Sequence, residues 1–81
     1  ILICGSGIGV SIAANRLKKV RAAVCYNQSS ASLARKHNNA NVLCIGARLI
    51  RFKEAQKIIN TFVTTKFEGG RHTKRIKKLD K

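Results

Sequence analysis

Acid is what this sequence most lacks. Its 81 residues hold three Asp or Glu against seventeen Lys or Arg, a formal net charge of +14. Proline, methionine and tryptophan are absent, and one Tyr and three Phe stand beside two His. Without proline or a low-complexity stretch there is no visible linker, and at this length one domain is the ceiling. No apolar run approaches the length that crosses a bilayer and no signal peptide is visible, so no membrane partner is expected. The thin aromatic complement argues against a nucleic-acid module, because Tyr26, Phe52, Phe62 and Phe67 interleave little with the basic residues. The densest basic run, Arg71-His72-Thr73-Lys74-Arg75-Ile76-Lys77-Lys78, reads better as a solvated face than as a specific nucleic-acid arm. Cys4, Cys25 and Cys44 are odd in number, widely separated and form no Cys-x-x-Cys pair. His37 and His72 do not complete any metal spacing. Reduced thiols in a cytoplasmic protein, with no metal, are the expectation.

What is present is concentrated in Ile1-Leu2-Ile3-Cys4-Gly5-Ser6-Gly7-Ile8-Gly9-Val10-Ser11. Three branched apolar residues run into a cysteine, a glycine-rich bend and an amphipathic run: strand, tight turn, helix. The lack of polar alternation predicts a strand buried on both faces of a parallel sheet. Gly5, Gly7 and Gly9 allow a sharp turn and a close ligand approach. The free N–H groups of the following first turn favour an anion, and Cys4 stands at the strand end where open α/β sheets bind ligands. Common loops do not fit. Val10-Ser11 follows Gly9 where a P-loop needs Lys-Ser/Thr. Val10 also stands where the dinucleotide fingerprint needs its third glycine, and no acid follows about twenty residues on. Cys4 and Ile8 occupy the glycine positions of a hydrolase elbow around Ser6.

Along the chain, Val10 to Lys19 reads as a helix with Ile12 and Ala13 inward and a cationic last turn of Arg16, Lys18 and Lys19. Arg21–Cys25 is a second strand. Ser29 or Ser30 caps a helix running to about His37, and 37–40 forms a polar turn. Asn41–Ile45 is a third strand ended by Gly46. Lys53 to Lys66 is a helix whose Ala55, Ile58, Ile59, Phe62 and Val63 follow three-four spacing. Gly69-Gly70 breaks the chain, and Arg71 to Leu79 is a basic helix with Ile76 and Leu79 as its apolar anchors. The expected fold is therefore α/β, a Rossmann-like three-layer sandwich around a parallel sheet with right-handed crossovers. It forms a single unit over 1–81, with strand–helix repeats over 1–66 and a terminal basic helix over about 70–79. The chain opens inside a strand without Met, so it is expected to be the carboxyl-terminal half of a longer protein. The terminal helix, poor in apolar positions, is expected to dock on a second subunit.

Four motifs in order, Ile1 to Asn15, His37-Asn38-Asn39-Ala40-Asn41-Val42-Leu43, Gly46-Ala47-Arg48 and Phe67-Glu68-Gly69-Gly70-Arg71-His72, resemble type B ribose-5-phosphate isomerase over essentially the whole chain. The resemblance implies cofactor-free interconversion of ribose 5-phosphate and ribulose 5-phosphate at a site shared across a homodimer or a dimer of dimers. It makes Cys4 the base, with Ser6 assisting where relatives carry Thr, and His37 the ring-opening residue. The backbone at Gly5, Ser6, Gly7, Gly9 and Ser11 becomes the anion hole for the enediolate. Asn38 would contact a sugar hydroxyl, and Arg71 and Arg75 would hold the phosphate. His72 and Arg48 transfer less directly, to the rim or the subunit boundary.

Other readings stand beside these. Outside the motif, Cys4 is a buried structural thiol, His37 a helix-terminal cation, and Arg71 and Arg75 a solvated face. Cys25 and Cys44 are assigned to the core. Asn39 replaces an acid common in relatives, and Arg51-Phe52-Lys53 replaces a glycine-containing approach to the long helix. A galactose-6-phosphate isomerase subunit shares much of the loop but does not keep Cys4 and the closing Gly-Gly-Arg-His together. A basic nucleic-acid-binding module would instead show salt-sensitive retention.

Overall fold

The computed structural model describes residues 1–80. Strands β1 (Leu2–Cys4), β2 (Ala22–Val24) and β3 (Val42–Gly46) form one parallel sheet in the order β1-β3-β2. Its register aligns Cys4 with Gly46 and Val24 with Cys44. Around it lie α1 (Ile8–Ala14), α2 (Gln28–Asn38), α3 (Phe52–Thr64) and α4 (Arg71–Leu79). Pleating sends Leu43 and Ile45 to one face, where they close a core with Cys25, Ala31, Ala34, Ile58 and Phe62 under α2 and α3. Helix α1 packs on all three strands from the opposite face. The Rossmann-like α/β layering is as expected from the alternation of strand and helix.

Several local expectations are corrected. Strand β1 is not buried: Leu2 is 38% and Ile3 59% exposed, because β1 is an edge strand that pairs with β3 alone among the described residues. Helix α1 ends at Ala14, short of Lys19, and turns Ser11 inward while Ile12 and Ala13 face out. Asn15 stops it. Its side chain takes the Ala22 N–H at 2.7 Å and donates to the Ala22 carbonyl at 3.0 Å, so it pairs with β2 as a strand residue would. The cationic residues therefore fall outside the helix, and Lys19 adopts φ 66° in the following turn.

The cap of α2 is Asn27, with Ser30 completing a reciprocal capping box, in place of Ser29 or Ser30 alone. His37 and Asn38 belong to the last turn of α2, and Asn39 takes the left-handed C-cap at φ 45°, which asparagine tolerates. On α3, Ile58 and Phe62 are buried but Val63 is 61% exposed. Arg35 ties α2 to α3: its guanidinium lies 5.3 Å from the Phe62 ring centre and its Nε donates to the Thr65 carbonyl at 2.9 Å.

The terminal helix departs most from expectation. Leu79 is 65% exposed; the inward residues of α4 are His72 and Ile76, one turn apart. It packs within its own chain against the end of α2. The Arg21 Nη1 donates to both Asp80 carboxylate oxygens at 2.8 and 2.7 Å, fastening the far end of α4 beside β2.

Candidate active site

The bend after β1 is set by two glycines from different segments. Gly7 has φ 82°, and a Cβ there would come within 3.0 Å of the Ile45–Gly46 backbone. A Cβ on Gly46 would lie 2.5 Å from the Ser6 backbone. The loop therefore crosses the end of β3 at a separation only glycine permits. Two backbone bonds hold it there, Ala47 N–H to the Cys4 carbonyl at 2.8 Å and Arg48 N–H to the Gly5 carbonyl at 3.0 Å.

Within this bend Cys4 is half-buried, and the Gly7 N–H donates to its Sγ at 3.2 Å. The Val10 amide exerts the largest pull on the thiol's acidity; desolvation opposes it, and the Gly7, Ser6 and Gly9 amides add to it. The net effect holds the Cys4 thiol below its ordinary 9.0. Burial pushes Cys25 and Cys44 the other way. A ring of backbone donors thus surrounds the sulfur.

The loop residues are not equivalent. Ser6 Oγ accepts from the Ile8 N–H at 3.2 Å. Ser11 does not contribute a free donor: its amide is bonded to the Gly7 carbonyl at 3.3 Å and its hydroxyl to the Ile8 carbonyl at 2.6 Å. This corrects its expected place in the anion hole; the fourth residue of a helix already has an intrahelical acceptor. Gly9 is not required by the turn, since a Cβ there would meet nothing within 4 Å. The space above it is open. The Arg48 side chain lies over Gly5, with its Cδ and Nε 3.4 Å from where a Cβ would stand, so a guanidinium borders the Cys4 loop.

The remaining predicted residues lie elsewhere. Because the strands are parallel, β1 and β3 end together at Cys4 and Gly46, and α2 runs back to the start of β3. His37 and Asn38 therefore sit at the amino edge of the sheet, where the Arg21 N–H donates to Asn41 Oδ1 at 2.8 Å. At about 3.3 Å per residue, β3 alone separates the two edges by roughly 13 Å. At the amino edge the His37 and His72 rings stack at 4.5 Å between centroids and 16° between planes. Glu68 Oε1 lies 3.7 Å from Nε2 of each. Burial, then the neighbouring His37 and Arg71, pull His72 below its ordinary 6.5, against Glu68. Arg71 and Arg75 are exposed on the outer side of α4. The candidate residues of one chain thus lie in two groups at opposite edges of the sheet.

The match to known proteins follows this geometry. The family model described as Ribose/Galactose Isomerase matches residues 1–79. The chain belongs to the ribose/galactose isomerase family. Among relatives in this family, the probable ribose-5-phosphate isomerase B of Mycoplasma genitalium is 51% identical over 79 residues, 98% of this chain and 52% of that protein. Ribose-5-phosphate isomerase B of Escherichia coli is 44% identical over 79 residues, 98% of this chain and 53% of its own. The structure of ribose 5-phosphate isomerase B from Anaplasma phagocytophilum superposes with TM-score 0.94 at 58% identity, covering 96% of this chain and 54% of that one. The Mycoplasma genitalium enzyme with bound ribulose-5-phosphate superposes with TM-score 0.94 at 50% identity, covering 96% and 51%. The chain spans about half the length of the relatives it matches.

Two features escaped reading from sequence. Glu68 was only part of a motif, and its convergence with both histidines depends on the 65–70 turn, where its N–H donates to the Lys36 carbonyl at 3.1 Å. The Glu68–His72 spacing of four was the available signal. Arg48 was read from its motif only as a residue of the rim or the subunit boundary; its place over the Cys4 loop follows from β1 and β3 being sheet neighbours.

Proposed function

We propose that this chain supplies the thiol, ring-opening and phosphate-holding residues of an aldose–ketose isomerase acting on ribose 5-phosphate and ribulose 5-phosphate. The observation that carries the reading is Cys4 Sγ in its nest of amides at the carboxyl edge, with its acidity raised. A thiolate so held is a base of suitable strength to take the proton from the carbon beside the carbonyl. Charge then moves to the substrate oxygens, and the Gly5, Ser6, Gly9 and Val10 amides, which have no backbone acceptor among the described residues, stabilise the enediolate. The Ser6 hydroxyl moves a proton between the two oxygens, and returning the carbon-bound proton to the adjacent carbon completes the isomerisation. His37 opens the furanose by exchanging a proton between the anomeric hydroxyl and the ring oxygen. Asn38 holds a sugar hydroxyl, and the Arg71 and Arg75 guanidinium groups, one turn apart, grip the phosphate.

The separation of these groups across the sheet supports a site completed between two copies, with Cys4 from one and His37, Arg71 and Arg75 from the other. Subunit mixing tests this. Cys4→Ala and Arg75→Ala proteins should each lose activity, the first by about 10²–10⁴-fold in turnover. Mixed and allowed to exchange, they should regain part of it. Demonstrated exchange with no return of activity would refute the shared site, and near-normal turnover in Cys4→Ala would refute the base. Comparing ribose, allose and galactose phosphates in the parent protein sets the sugar preference.

A further inference from the structure

We propose that His37, Glu68 and His72 form a binding site for a borderline divalent cation of the zinc class, and that its occupation competes with sugar ring opening. The three residues come from two separate elements and the turn before α4, yet one ligand atom from each lies within 4.8 Å of the other two. Both histidines turn Nε2 toward the same carboxylate oxygen, at 3.7 Å in each case. These contacts are too long for hydrogen bonds. They approach the spacing of about 3.4 Å that ligand atoms keep around a tetrahedral ion with bonds of about 2.1 Å. Glu68 and the His37 ring are partly exposed, so His37 can turn out of its stack on His72 and bring its Nε2 lone pair to the shared point, while buried His72 and the Glu68 backbone bond to Lys36 keep the frame fixed.

Two imidazoles and one carboxylate suit zinc, cobalt or nickel; an all-oxygen cation such as magnesium gains nothing from them. Three protein ligands leave a position for water or for a substrate oxygen. Glu68 supplies the single negative charge, and the nearby Arg71 and Arg75 oppose a bound cation, which points to reversible binding, weaker than at a structural site. The cation would occupy Nε2 of His37. The binding claim stands without the isomerase reading; the competition claim rests on it.

The test begins with Co²⁺ and Zn²⁺ titrations of the purified, chelator-free protein. Co²⁺ should give visible d–d bands without a thiolate charge-transfer band, and one equivalent of Zn²⁺ should abolish them. His72→Asn and Glu68→Gln should each weaken Zn²⁺ at least tenfold, and Cys4→Ser should leave its affinity unchanged. Unchanged affinity in both Glu68→Gln and His72→Asn, or a thiolate band lost in Cys4→Ser, would overturn the site. Because Glu68 is half exposed, Glu68→Gln should keep its fold, which circular dichroism checks. In turnover assays Zn²⁺ should slow the parent on cyclic ribose 5-phosphate and spare Glu68→Gln at the same concentration. Equal inhibition of the two would overturn the competition, and absence of turnover without metal would refute the isomerase reading while the cobalt titration still reads the site.

Discussion

At the scale of single residues, the chemistry depends on where amides and glycines force a side chain to stand. Cys4 is the one thiol in the chain with raised acidity; Cys25 and Cys44 are buried and made less acidic. Iodoacetamide should therefore modify Cys4 first, with its rate rising through a midpoint below pH 9.0, as peptide mapping by mass spectrometry would read. A midpoint at or above the ordinary thiol value would contradict the amide nest. The sign also fixes a stability effect. A thiol acidified by folding stabilises the fold above its unfolded value, and that contribution fades as pH falls through the folded value. Gly46 offers the sharper structural prediction. Adding a methyl group at 2.5 Å from the Ser6 backbone must push the Cys4 loop aside. Gly46→Ala should lower stability by about 1–3 kcal/mol in urea unfolding, and should slow Cys4 alkylation as the loop amides leave the sulfur. Loss of stability with unchanged alkylation would separate packing from the loop.

At the scale of elements, α4 is the part held by fewest contacts. It rests on His72, Ile76 and the Arg21–Asp80 pair, and its other residues, five of them basic, are exposed or only partly covered. Ile76→Ala should therefore release α4 locally without unfolding the sheet. The truncation is worth about 2 kcal/mol, which appears as faster amide exchange in 71–79 with little change in β3. Global unfolding in step with α4 would show that the helix is integral to the core. Helix α2 is the contrast, because its Asn27–Ser30 capping box and its cluster of buried alanines bind it to α3. Asn27→Ala should cost about 1 kcal/mol, in the usual range for a lost cap. A loss below a few tenths would mean that water replaces the cap freely.

At the scale of the molecule, β1 carries an edge unpaired among the described residues and flanked by apolar surface. Ile1, Leu2, Val10, Ala13, Leu17 and Val42 line a groove on one face, and Ile3, Ile45, Ile50, Phe52 and Ile59 line another. An unpaired apolar edge is a template for further strands. The 81-residue chain by itself should therefore self-associate with rising concentration in sedimentation velocity, and Ile3→Lys, which places a charge on that edge, should reduce the association. Concentration-independent sedimentation of the parent chain would show that the edge is protected by other means.

Much of the fold was legible in the sequence because it rests on local rules. Apolar runs of strand length, glycine where the chain turns, and three-four spacing on α3 fix which elements form and that they alternate. Sheet order, and hence the exposure of β1, was not legible, since it depends on which strands are neighbours. The end of α1 failed for a related reason: Asn15 answers to β2, seven residues away in sequence, and not to helix propensity. For the site, the Cys4-Gly-Ser-Gly segment is contiguous, so its amides and sulfur are near one another in any strand–turn–helix arrangement. The Gly46 contact beneath that loop, the Arg48 side chain beside it and the convergence of Glu68 on His37 and His72 are long-range. Only tertiary structure decided these, because parallel strands send the two ends of each βα unit to opposite edges of the sheet. That polarity divides Cys4 from His37 in one chain.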